Sequence, residues 1–275
     1  MRGLLKADFK RVFKDKLLLI MGILAVVFAL ITPLLYALLL SGESGEAMGI
    51  LTGGYTQAKS QFFGSFAIGN NLGLIAPVLL AIALCKDFSY GTVRNKVISG
   101  KSRTQIFMSL FITCSVVFVG VMLLHGFVTL GVSLIFFDYQ ATAFTISDFW
   151  YFLESLALDI LTLLFVSAML SWLCACMKNV GLVIVLYIAI SFILTLAGSI
   201  ISIVLLFMQT TGGKESTISV LEFISKINVA NAATYIGAGT EYTAKDLLYL
   251  ILPSTVGVVG FLSLGLWKFN KKDLK

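Results

Sequence analysis

Residues Ile106–Phe137 read IFMSLFITCSVVFVGVMLLHGFVTLGVSLIFF, with no acid, lysine or arginine anywhere in the run. A helix crossing roughly 30 Å of hydrocarbon needs about 20 apolar residues. This run exceeds one crossing and is too short for two with a turn. It therefore reads as one long helix that tilts or protrudes from the bilayer. Five further stretches are long and apolar enough to cross: Leu17–Leu40, Phe66–Leu84, Trp150–Met177, Gly181–Met208 and Leu247–Trp267. All are apolar around their circumference, which excludes the short alternating strands of a β-barrel. The expectation is an all-α polytopic membrane protein with six transmembrane helices, residues 1–275 forming one transmembrane domain.

Composition agrees. The chain is 59% hydrophobic and 12% charged, with a mean hydropathy of +0.99. Soluble domains are about 25% charged. An ordinary soluble enzyme, a disordered chain and a disulfide-stapled secreted domain are all excluded. The three prolines, Pro33, Pro77 and Pro253, fall inside predicted spans and should kink them. Many of the 24 glycines are also intramembrane, where they allow close helix packing. No sustained internal repeat is present.

Six spans put both termini on one side, and charge says which. All but four of the 20 basic residues lie in residues 1–16, the second loop, Lys178 or the tail. The exceptions are Lys59, Lys214, Lys226 and Lys245. The positive-inside rule makes both termini cytoplasmic. The net charge of +6 follows from this topogenic bias and implies no nucleic acid. The basic rim should also favour anionic lipid heads. Leu17–Leu40 is too long for a signal-peptide core and lacks a small-residue cleavage site, so it reads as a retained first span.

Residues 1–16 form more than a tail. Leu5, Phe9, Val12 and Phe13 recur with helical spacing, flanked by Lys6, Lys10 and Lys14. That pattern predicts an interfacial amphipathic helix. Outside the spans, residues 41–65 are rich in glycine and serine and read as loop. Residues 209–246 are half apolar, and read either as short re-entrant helices or as a folded surface cap. Within them, Ser219-x-x-Glu222 and Thr243-x-x-Asp246 look like capping boxes, each opening a helix.

Catalytic chemistry is missing. The single histidine, His125, reads as a polar residue satisfied inside the bundle, with an intramembrane proton site as the alternative. Cys85, Cys114, Cys174 and Cys176 lie outside the external loops and read as thiols rather than a disulfide framework. No Walker A motif occurs. Gly212-Gly213-Lys214-Glu215 lacks the upstream glycine and the hydroxyl residue after lysine. No metal-protease or hydrolase motif occurs either, so the expectation is a chain that is not an enzyme and binds no metal or cofactor. The costly residues are the acids Glu154 and Asp159 near the start of the fourth span. A charge there costs at least ~2.5–3.5 kcal/mol, so Asp159 is a candidate intramembrane polar site.

The second loop, residues 86–105, carries the functional argument. Thr92 can cap a helix start, Val93–Ser99 gives two turns, Gly100 suits the residue after the helix, and Ser102 can cap the third span. A short capped helix with both apolar and basic residues suits docking into a partner's groove. The plain alternative is a topogenic basic turn.

The segment Asp87-Phe88-Ser89-Tyr90-Gly91-Thr92-Val93-Arg94-Asn95-Lys96, followed by Ile98-Ser99-Gly100 and Arg103, resembles the region after the second span in ATP-binding-cassette permeases of the type-2 exporter family. Asp8-Phe9-Lys10-Arg11 is similar to the start of those permeases. The form is nearest to small bacterial permeases of the peptide, lantibiotic-immunity and bacitracin-resistance kind. The resemblance implies a permease in the bacterial cell membrane that pairs with a second permease copy and two cytoplasmic ATPase subunits. ATP and magnesium would bind to those partners. Tyr90, Gly91, Thr92, Val93, Arg94, Asn95, Lys96, Val97 and Ile98 would form the coupling loop, and Leu5, Phe9, Val12 and Phe13 the interfacial helix. Two rivals stand beside this expectation: an ion- or proton-coupled carrier using Asp159, and a membrane scaffold without transport.

Overall fold

The computed structural model describes residues 1–40, 57–89, 92–177, 179–212, 214–239 and 241–271. Every secondary-structure element among them is a helix. Five helices are each long and apolar enough to cross a membrane. They are α2 (Lys16–Leu40), α6 (Arg103–Phe136), α7 (Ile146–Cys176), α8 (Val180–Thr211) and α11 (Ala244–Lys271). By length and composition α4 (Asn71–Ser89) and α5 (Thr92–Ile98) qualify only as a pair bent by 47°, which gives five candidate crossings or up to six. The short helices are α1 (Arg2–Lys14), α3 (Ala58–Gly64), α9 (Glu215–Ile227) and α10 (Val229–Tyr235).

The centre of the bundle is α6 and α7. In each, 67% of the apolar window is buried, against 22%, 17% and 11% in α2, α8 and α11. The outer helices turn large side chains outward, among them Leu19, Ile23 and Leu38 on α2, and Val185, Phe192 and Ile203 on α8. So much exposed apolar surface is incompatible with a soluble monomer and suits lipid. The chain is a multi-pass membrane protein.

The long helices meet through small residues. A Cβ at Gly257 of α11 would lie 2.3 Å from the Phe165 ring of α7, and one at Gly265 would lie 2.4 Å from the Phe107 ring of α6. Glycine lets those rings reach the α11 backbone, as close membrane packing requires. Phe165 then meets Phe261 edge-on at 5.4 Å, and Trp172 covers the same ring at 5.2 Å. Pro33, Pro77 and Pro253 all lie inside helices, as expected.

Several boundaries move. The second long helix begins at Asn71 rather than Phe66. Asn70 breaks the apolar run, its side-chain amide donating to the Gly64 carbonyl at 2.6 Å. The same helix continues through Lys86 to Ser89, so much of the expected loop 86–105 is helical. Part of residues 41–65 is helix too: α3 is buried from Ala58 to Gly64, apart from a half-buried Ser60. Its Phe62 and Phe63 rings pack against Phe152. Hydropathy around Phe149-Trp150-Tyr151 suggested a start at Trp150. Helix α7 instead starts at Ile146, because Thr145 and Asp148 form a reciprocal capping box. Ser219 is interior to α9, which opens at Glu215, so Ser219-x-x-Glu222 is not a capping box. The box at Thr243 and Asp246 does form, with reciprocal bonds of 3.3 and 3.2 Å.

The end carrying α3 is closed by Lys59. Its ammonium donates to the Gly239 carbonyl at 2.7 Å and sits 4.5 Å from the Tyr151 ring centre. Tyr151 stacks on Tyr242, whose hydroxyl meets Ser155 at 2.7 Å. Burial lowers the pKa of Lys59, opposed by Asp148. Helices α9 and α10 fold back along α8 about a turn at Asn228. That side chain donates to the Leu194 carbonyl at 2.7 Å and caps α10 through the Ala230 N–H at 3.1 Å. Leu194 lies about 25 Å short of the end of α8 at 1.5 Å per residue, so the returning pair reaches well down that helix.

Candidate functional site

At the basic end, α1, α4, α5 and α6 converge on buried charge. Helix α5 is two turns long. Val93 is buried and Val97 packs against the core, while Arg94, Asn95 and Ile98 face outward. Its C-terminus is closed by paired bonds, Gly100 N–H to Val97 O at 2.9 Å and Lys101 N–H to Lys96 O at 3.2 Å. Gly100 adopts φ +81°, which a glycine takes without steric cost. Ser102 caps α6 by accepting the Gln105 N–H at 3.2 Å. Thr92 is the first helical residue rather than the cap. Tyr90 and Gly91 lie outside the described residues.

Lys96 turns inward. Its ammonium donates to Asp8 Oδ1 at 2.6 Å and lies 3.7 Å from Asp87. The other Asp8 oxygen accepts from Ser109 of α6 at 2.7 Å. Asp87, fully buried at the end of α4, pairs with Arg11 of α1. Nearer the surface, Lys86 donates to Asp15 at 3.0 Å. Asp15 also accepts the Leu17 N–H at 3.1 Å, bridging the break between α1 and α2. Burial pushes the Asp15 pKa up, but the Leu17 N–H and Lys86 outweigh it and hold the carboxyl below its usual range. Arg103 at the start of α6 donates to the Asn270 carbonyl at 2.7 Å and so holds the end of α11.

Helix α1 turns a neighbouring face to the protein. The side turned to the protein is Leu4, Asp8 and Val12. Of the predicted stripe, Val12 is buried, Leu5 and Phe9 are half-buried, and Phe13 is exposed. Asp8 lies on the inward side, where it pairs with Lys96. Sequence reading missed Asp8, Arg11, Asp15, Lys86, Asp87 and Ser109 as members of this site. The available signal was three acids set within strongly basic segments.

The intramembrane candidates are separate from this knot. His125 is buried, and its Nδ1 lies 2.8 Å from the Ala25 carbonyl, which fixes that nitrogen as the donor. The ring also lines a small polar cavity with Thr32, Gln61, Asn71 and Thr129. Asp159 is fully buried, and neither carboxylate oxygen has a hydrogen-bond partner among the described residues. No hydrogen bond or ion pair joins it to His125. Cys85 and Cys174 sit 3.3 Å apart, sulfur to sulfur, as buried thiols.

No cluster of histidine, cysteine and acidic residues suited to a metal occurs among the described residues. No family profile matches the chain, and comparison with curated proteins finds no match.

Proposed function

We propose that this chain is the membrane-spanning permease subunit of an ATP-driven exporter of the bacterial cell membrane. It pairs with a second permease copy and two cytoplasmic ATP-binding-cassette subunits, and it moves an apolar or amphipathic cargo such as a peptide, antibiotic or lipid. The chain supplies no nucleotide-binding motif, so ATP and magnesium bind the partner. The observation that carries the reading is α5. It is a two-turn helix closed at its C-terminus, with Arg94, Asn95 and Ile98 presented outward. Its opposite side is fixed by Val93 and Lys96 to α1 and the ends of long helices. A topogenic basic turn needs neither the closing bonds nor an inward lysine. Such a helix transmits a partner's movement into the bundle as a rigid-body shift.

The test is co-purification from the native membrane. Wild type should retain a cytoplasmic ATPase. Arg94→Glu and Ile98→Glu should lose it while keeping a monodisperse fold. An intact chain that comes out alone, or variants that retain the ATPase, would count against the reading.

Asp159 favours a second reading, a proton- or ion-coupled carrier, because its carboxyl is buried without a hydrogen-bond partner among the described residues. That reading predicts gradient-driven flux without ATP, abolished by Asp159→Asn.

A further inference from the structure

We infer that α1 senses membrane charge: its outward arc docks on anionic phospholipid headgroups, and the Lys96–Asp8 and Arg11–Asp87 pairs pass that docking to α5. The inference does not depend on which partner α5 takes.

The folded chain sorts charge by side. The described acids at this end, Asp8, Asp15 and Asp87, are all engaged in ion pairs. The cations Arg2, Lys6, Lys10 and Lys14 of α1 are exposed. At 3.6 residues per turn, Lys6 and Lys10 lie roughly 160° around the helix from Asp8. An apolar strip, Leu5, Phe9 and Phe13, lies between the buried face and that cationic arc. Phe9 and Phe13 stack at 6.3 Å, and Phe13 is 66% exposed. The exposed surface of α1 is thus aromatic and purely cationic.

Position selects the partner. A single residue, Asp15, separates α1 from α2, and the exposed Leu19, Ile20 and Ile23 begin the lipid-facing side of α2 within two turns. The surface beside α1 is therefore the headgroup layer. A cationic helix with an aromatic strip matches an anionic leaflet in both charge and depth. Each lysine close to such a surface favours the bound state roughly fivefold, so three together act on the order of a hundredfold. The buried pairs then make α1 and α5 move as one body.

The experiment uses the full chain in nanodiscs of phosphatidylcholine alone or with added phosphatidylglycerol, at low salt. Hydrogen exchange is followed in peptides covering Arg2–Lys14 and Thr92–Ile98. Phosphatidylglycerol should slow exchange in both segments of wild type by about tenfold, within the range the cations supply. The variant Lys6→Gln/Lys10→Gln/Lys14→Gln should lose that response, with exchange in α6 and α7 unchanged as the check on folding. Arg94→Gln, which removes an exposed cation of α5 itself, should keep it. Lys96→Met should keep the phosphatidylglycerol response of α1 while weakening that of α5. Equal exchange in the two lipids would overturn the inference. So would a response surviving in the triple lysine variant, one lost only with Arg94, or an α5 response unaffected by Lys96→Met.

Discussion

Lys96 and Asp8 meet at 2.6 Å across 88 positions of sequence, joining the loop helix α5 to the N-terminal helix α1 inside the protein. Asp87 and Ser109 complete the contact from α4 and α6. Four segments thereby share one ionic centre.

Removing one partner should therefore cost more than an exposed pair would. Lys96→Met leaves the buried Asp8 carboxylate with only the Ser109 hydroxyl as a partner, at about 3 kcal/mol, while Asp87 keeps Arg11. Asp8→Asn combined with Lys96→Met should recover much of that loss. Thermal unfolding of the four proteins in one detergent gives the coupling energy. Additive effects would mean that the pair does not act as a unit.

Asp15 gives the basic end an acid limit. Its folded pKa lies below the ordinary value, so its pairing with Lys86 and Leu17 contributes fully above about pH 4. The contribution is lost as pH falls through the lowered folded value. Exchange at the α1–α2 junction should rise as pH drops from 5 to 3, once corrected for intrinsic rates. Asp15→Asn should flatten that rise.

Packing between α7 and α11 leaves no room at Gly257. Gly257→Ala should destabilise by about 1–3 kcal/mol, because the new methyl meets the Phe165 ring. Phe165→Leu should relieve it. A chemical-denaturation series in micelles measures both.

Asp159 separates structure from transport. Asp159→Val removes a buried carboxyl that has no hydrogen-bond partner among the described residues, and should raise stability by about 1–3 kcal/mol. ATP-driven flux in reconstituted vesicles should persist in that variant if the permease reading holds. Its loss, with the stability gained, would move the carrier reading ahead.

At the far end, Lys59→Met keeps the side chain's bulk but removes its bond to Gly239 and its charge over Tyr151. Proteolysis or exchange across Ala58–Gly64 and the segment around Gly239 should increase there. The basic end should remain protected.

The sequence by itself determined the membrane class. Long runs such as Ile106–Phe137 cannot be solvated and have little choice but helix and lipid. It also determined local punctuation wherever a side chain acts on its own backbone. Ser102 caps α6, Gly100 ends α5, and Thr243 with Asp246 opens α11, all from residues at most a few positions apart. The same local logic failed at Ser219 and Thr92, where an equally good cap residue is interior to a helix or begins it. Hydropathy also could not tell which face of α1 is buried. Asp8 is favourable inside only because Lys96 and Ser109 arrive there from distant parts of the chain. The burial of α3 likewise depends on Asp138, Tyr139, Tyr151 and Gly239 being brought to it. Tertiary structure alone decided those matters, because the free energy of a buried charge belongs to the partner that neutralises it, and a linear pattern does not contain that partner's position.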